Sequence, residues 1–186
     1  MELISSKTLK YLQAKQKELD DFIHGQNKLQ LEKTFYLRKI ALLVEIGELA
    51  NELKSFKYWK KELKSDSDKA KEELIDCLHF FLSLANSSEV NLVELASYPW
   101  SNSIGWHGAF EKNDYNKLLL LLFQKTNQIK KPRDKFKKEE KFYKIYYHWL
   151  QSFYKLCEKL QIEEKNLLEI YDKKNVINRQ RQLEKY

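Results

Sequence analysis

Apolar residues recur along this chain at intervals of three and four, the spacing that lines one face of an α-helix. Residues 7–23 carry Leu9, Leu12, Leu19 and Ile23 in that register, with Gln16 among them, and the pattern stops near His24 and Gly25. A second helix is predicted over 34–63, with Thr34 as its candidate cap. A third is predicted over 67–86, after the polar turn SDSD, with Ser67 or Asp68 as cap and Glu72 in its first turns. Two further amphipathic helices are predicted over 112–129 and 137–161, separated by KKPRDK, and a very polar one over 163–184. Residues 97–110 (SYPWSNSIGWHGAF) hold one of the two prolines and two of the four glycines, and predict a structured loop with aromatic anchors. With no internal repeat and no low-complexity segment, the expected fold is all-α: an antiparallel helical bundle of about six helices in a single domain over 1–186.

Two carboxylates stand where this pattern is otherwise apolar. In EELIDCLHFFLSLA (72–85), Leu74, Cys77, Leu78, Phe81, Leu82, Leu84 and Ala85 cover most of the helix circumference. Glu73 and Asp76 share the remaining strip, which Phe80 and Ser83 continue. An acid on a core helix must be neutralised by a proton, by an Arg or Lys partner, or by a metal ion. The preceding helix repeats the spacing, since Glu45 and Glu48 in ALLVEIGELANELKSF stand beside Leu42, Ile46, Leu49 and Leu53. Four carboxylates on two facing core helices form an all-oxygen cage suited to a hard divalent cation such as Mg²⁺. Neutralisation by Arg38 or a lysine is the competing reading, and it leaves excess negative charge on four acids. Glu52, one turn beyond Glu48, reads equally as a further ligand or base and as a solvated acid near Lys54 or Lys57. His79 follows Asp76 by three residues but points away from the acidic strip, which makes it a core histidine and not a ligand.

Composition narrows the class. With 4 Gly, 2 Pro and 33% charged residues, the chain lacks the punctuation that many short strands need. A formal net charge of +7 favours a polyanionic partner, either nucleic acid, phospholipid or a small polyphosphate. The 27 acidic residues are nevertheless interspersed with the 34 basic ones, as on solvated helix faces. A basic run of Lys130, Lys131, Arg133, Lys135, Lys137 and Lys138 beside Phe136 reads as a solvated interhelical loop. It is the best feature of an alternative in which the chain is a non-catalytic helical module for nucleic acid or protein. Cys77 and Cys157 lack metal or redox spacing and read as reduced core residues of a cytoplasmic protein. The N-terminal MELISSKTLK has no signal core, and Leu118–Leu122 is far short of the roughly 20 apolar residues of a membrane span, so no membrane partner is expected.

ExxE on one helix followed by ExxD on the next, in a small helical chain, resembles the all-α nucleoside triphosphate pyrophosphatases. ALLVEIGELANELKSFKYWK (41–60), EELIDCLHFFLSL (72–84) and YDKKNVINRQRQ (171–182) narrow the resemblance to the dimeric, type-2 dUTPases. KQKELDDFI (15–23) is a weaker fourth block, and together they cover about a third of the chain in family order. The resemblance implies Mg²⁺-dependent hydrolysis of dUTP to dUMP and pyrophosphate by a homodimer, with no stable nucleic-acid partner. It implies that Glu45, Glu48, Glu73 and Asp76 ligate Mg²⁺ and that Glu48 activates the attacking water. Asp76 and Phe80 then read the deoxyribose and stack on the base, Gln16 reads the uracil edge, and Lys174, Asn178 and Arg181 bind phosphate. These last three recur at i, i+4 and i+7, which puts two cations and an amide on one helix face, whether for a triphosphate tail or as a solvated basic surface. Lys57 and Trp59 fall in the block that borders the substrate pocket. Two departures stand out: the chain ends RQLEKY without the Gly-Tyr continuation common in the family, and Asp20 stands where an amide is sometimes found. Residues 97–160 match no family block and are a candidate cap or dimerisation region. The nearest enzymatic alternative is a related pyrophosphatase acting on dCTP or other triphosphates.

Overall fold

Helix follows helix through the computed structural model, which describes residues 4–61, 66–97, 114–131 and 140–184. The described helices are α1 (Ser6–Gln26), α2 (Phe35–Leu53), α3 (Ser67–Ser87), α4 (Leu92–Ser97), α5 (Tyr115–Gln128), α6 (Glu140–Lys159) and α7 (Glu164–Leu183). A 3₁₀ turn at Leu31–Thr34 leads into α2. The architecture is the expected all-α bundle. It gains a helix because α4, with six residues, is too short for periodicity to reveal. Most of the predicted 97–110 loop and of the basic run, from residue 132 to 138, lies outside the described residues.

α2 stops at Leu53, not at residue 63. Lys54 takes a left-handed conformation (φ 57°) and its N–H closes on the Ala50 carbonyl, which turns the chain out of the helix. No glycine marks this end. The left-handed positions after α1, α3 and α6 are likewise filled by Lys28, Glu89 and Gln161. α3 is capped by Asp66, one residue before the predicted candidates, whose side chain accepts the Lys69 N–H at 3.1 Å.

α3 is the central element, apolar almost all round, and it packs against α1, α2, α6 and α7. α2 runs along it with Leu42, Ile46, Leu49 and Leu53 inward. α5 and α6 pack on each other and close the same core, where Trp149 stacks on Phe81 with ring centroids 3.8 Å apart. Two polar tips in this core are partnered: Trp149 Nε1 donates to Thr126 at 3.0 Å and the Tyr146 hydroxyl to Ser88 at 2.7 Å. Burying such an aromatic ring stabilises the fold by roughly 1.5–3 kcal/mol. α7 buries a narrow stripe of Leu167, Tyr171 and Asn175, flanked by the partly buried Leu168 and Ile170. Cys77 and Cys157 are buried free thiols, and burial pushes both above the usual thiol range, consistent with inert core residues. Among the described residues no helix is long and apolar enough to cross a membrane.

Candidate metal and nucleotide site

Pairing of α2 with α3 turns their acidic strips toward one another. One carboxylate oxygen each from Glu45, Glu73 and Asp76 lies within 4.8 Å of the others. Glu48 is exposed, on the rim of this group, yet close enough for its charge to act on Glu45 and Glu73. The four predicted ligands are thus three that converge and one at the edge. Burial, followed by the charges of Asp76, Glu48 and Glu73, pushes the Glu45 carboxyl up to about 7. Burial also raises Glu73 and Asp76 above the ordinary carboxylate range.

Two cations were candidates to neutralise these acids. Arg38 does not reach them: it is buried, and its guanidinium donates to the Leu31 carbonyl (2.8 Å), the Thr34 hydroxyl (3.2 Å) and the Ser83 and Ser87 hydroxyls (2.6 and 2.8 Å). Lys174 does, extending from α7 to place Nζ 2.7 Å from Asp76 and 3.3 Å from Glu72. Burial disfavours that ammonium, but its bonds to the two carboxylates hold it above the usual lysine value. Lys174, even with the Arg181 charge that also acts on Asp76, leaves a cluster of Glu45, Glu48, Glu72, Glu73 and Asp76 short of positive charge. Its hard, all-oxygen donor set fits a divalent cation.

A cavity of about 420 Å³ opens from the acids. Its lining advances along α3 from Asp76 through Phe80 to Ser83, and along α2 from Glu45 back to Arg38. Asn178 and Arg181 of α7 line it too, so with Lys174 the predicted basic face is turned toward the site. Gln16 lies inside, where its Nε2 donates to Asp20 at 2.9 Å and its Oε1 accepts the Tyr171 hydroxyl at 2.9 Å. The same Oε1 faces His79 Nδ1 at 2.8 Å. His79 stacks on Tyr171 with centroids 4.1 Å apart, and burial lowers its pKa to about 3, so it is the neutral core histidine the helix geometry implied. Lys57 and Trp59 are not brought to this cavity. Trp59 is 61% exposed and packs edge-on against Phe56 and Tyr58, while the Lys57 ammonium lies 5.5 Å from the Phe56 ring centroid.

Arg38 and Ser83 had no place in the predicted site, although both line the cavity. Asp20 is likewise buried there, and its signal was register. It follows Gln16 by one helical turn and so falls on the buried stripe of α1.

This fold and its facing acids agree with the all-α nucleoside triphosphate pyrophosphatase class that the sequence resembles. A family model described as dUTPase matches residues 8–186, and the chain belongs to that family, the type-2 all-α dUTPases. No curated protein and no solved structure matches the chain. Membership implies a nucleotide hydrolase with a divalent metal cofactor, which Glu45, Glu73 and Asp76 are placed to hold.

Proposed function

We propose that this protein is a Mg²⁺-dependent dUTP diphosphatase that hydrolyses dUTP to dUMP and pyrophosphate. The observation that carries this reading is the convergence of Glu45, Glu73 and Asp76 at one end of a cavity lined further in by Gln16 and Phe80. Mg²⁺, when bound, supplies the electrostatic neutralisation that phosphoryl transfer requires. The remaining work falls to the chain. Glu45, Glu73, Asp76 and Glu48 hold the cation. Glu48 stands outside the tight triad and retains carboxylate capacity to take the proton of the attacking water. Lys174, Asn178 and Arg181 bind the phosphates, so Lys174 exchanges Asp76 and Glu72 for phosphate oxygens as substrate enters. Asp76 also reads the deoxyribose, Phe80 stacks on the base, and Gln16 donates to a uracil carbonyl.

The protein acts as a homodimer in the cytoplasm in this reading. Support for the dimer comes from α2, where Tyr36, Leu37, Ile40 and Val44 are each more than half exposed on one apolar face. In this reading α5 and α6 belong to one domain with the rest, which their share in the core supports, and α5, which packs on α2 and exposes Leu120, contributes to dimerisation.

A pyrophosphate-release assay with dUTP, dCTP and dTTP, with Mg²⁺ and with chelator, tests the assignment. Glu48→Ala and Asp76→Ala should each lower turnover by about 10²-fold or more with helical circular dichroism preserved. Activity like that of the unmodified protein in those variants refutes the site, and equal rates on dUTP and dTTP remove the base assignment.

A further inference from the structure

Lys174 bridges two acids of unequal standing. Its Nζ lies 2.7 Å from Asp76 and 3.3 Å from Glu72, which stand one turn apart on α3. Asp76 belongs to the converging oxygens of Glu45, Glu73 and Asp76, whereas Glu72 lies outside them. The Asp76 side chain is 19% exposed and that of Glu72 45%, so the longer bond is also the one nearer water. The mechanism above gives Glu72 no task of its own. Tyr171, fully buried one turn before Lys174, pins this part of α7 and donates its hydroxyl to Gln16 at 2.9 Å. The ammonium can therefore leave Asp76 by turning its own side chain with the helix in place, and Glu72 stays within its reach.

A divalent cation held by Glu45, Glu73 and Asp76 needs the Asp76 oxygens and repels an ammonium bonded to them. We propose that Glu72 is a positioning residue: it receives Lys174 when the cation takes Asp76, and keeps the ammonium beside the metal for transfer to a phosphate oxygen. The exchange of partners at Lys174 then runs in two steps, from Asp76 to Glu72 on metal binding and from Glu72 to phosphate on nucleotide binding. The inference rests on the metal-dependent dUTP reading and deepens it. It gives Glu72 opposite effects on the two ligands. Without nucleotide, Glu72 favours the cation, because the displaced ammonium keeps a carboxylate partner. With the cation bound, Glu72 competes with phosphate for the same ammonium and so opposes the nucleotide. An acid that only ties α7 to α3 has no reason to act with opposite sign on the two.

Calorimetric titration of the nucleotide-free protein with Mn²⁺ reads the first step in four proteins: unmodified, E72Q, K174M and the double variant. We expect K174M to bind Mn²⁺ more tightly, since the competitor for Asp76 is gone, and E72Q to bind it about 3- to 5-fold more weakly. In the K174M background the loss caused by E72Q should fall below about twofold. A loss of about twofold or more there shows the Glu72 charge acting on the ion directly and overturns the proposal. Binding no tighter in K174M, or a loss under about twofold in E72Q alone, overturns it too. Titration with α,β-imido-dUTP at saturating Mg²⁺ reads the second step. E72Q should bind this analogue about 2- to 5-fold more tightly and K174M should bind it more weakly. Equal or weaker binding in E72Q, or undiminished binding in K174M, overturns the hand-over to phosphate. If K174M does not fold, K174Q replaces it, removing the charge while keeping a polar tip. Absence of pyrophosphate release from dUTP sinks the dUTP reading, whereas the Mn²⁺ titrations use no nucleotide and decide by themselves whether Glu72 acts through Lys174.

Discussion

At Glu45, burial and three neighbouring carboxylates act in one direction, which is why a glutamate holds its proton up to about pH 7. Its folded-state pKa lies above the unfolded value of 4.5, so the stability it contributes is full below pH 4.5 and is lost as pH rises through about 7. A cation reverses that loss, because it binds the ionised form. Below pH 7, binding must displace the Glu45 proton, and affinity for Mn²⁺ or Mg²⁺ should rise by up to about tenfold per pH unit before levelling off. Calorimetric titration of the nucleotide-free protein at pH 6, 7 and 8 measures this, and Glu45→Gln should weaken binding and flatten the profile. A flat profile in the unmodified protein would show that Glu45 is not a ligand. The sequence made Glu45, Glu48, Glu73 and Asp76 visible because acids beside an apolar stripe need a neutralising partner. It did not show that Lys174 reaches Asp76 and Glu72, since that contact spans two helices about a hundred residues apart in sequence.

Helix termini are the least legible elements of this chain. α6 ends in a left-handed Gln161 (φ 55°), with the Ile162 N–H bonded to the Cys157 carbonyl at 2.9 Å and Ile162 buried behind it. The site normally favours glycine, and a side chain there costs about 1–2 kcal/mol of backbone strain. Part of that is offset because glycine loosens the unfolded chain. Gln161→Gly should therefore raise stability by about 0.5–1 kcal/mol, read as a higher urea midpoint with unchanged slope. The same absence of glycine explains why α2 reads from sequence as running to residue 63. Helix cores fared better: each of the six predicted segments contains an observed helix, because apolar periodicity reports burial directly.

At the scale of the molecule, α2 presents an exposed apolar face among the described residues. Tyr36, Leu37, Ile40 and Val44 project from the helix that carries Glu45, and Leu37 also lines the cavity. A second copy covering this face would border the cavity at Leu37, which would tie assembly to substrate binding. Ile40→Lys should shift the protein from dimer to monomer in analytical ultracentrifugation and raise KM for dUTP, without loss of helicity. A monomer in the unmodified protein at micromolar concentration would end the dimer reading.

Local patterning alone determined that this chain is helical, that α3 is a core helix, and that α2 and α3 each carry a pair of acids beside an apolar stripe. Those features follow from which side chains water rejects, and each can be read within a window of about twenty residues. Tertiary packing decided the rest. It selected which three acids converge, brought Lys174 to them, and joined Gln16, Asp20, His79 and Tyr171 into one polar wall, because those contacts depend on how α1, α3 and α7 settle against one another.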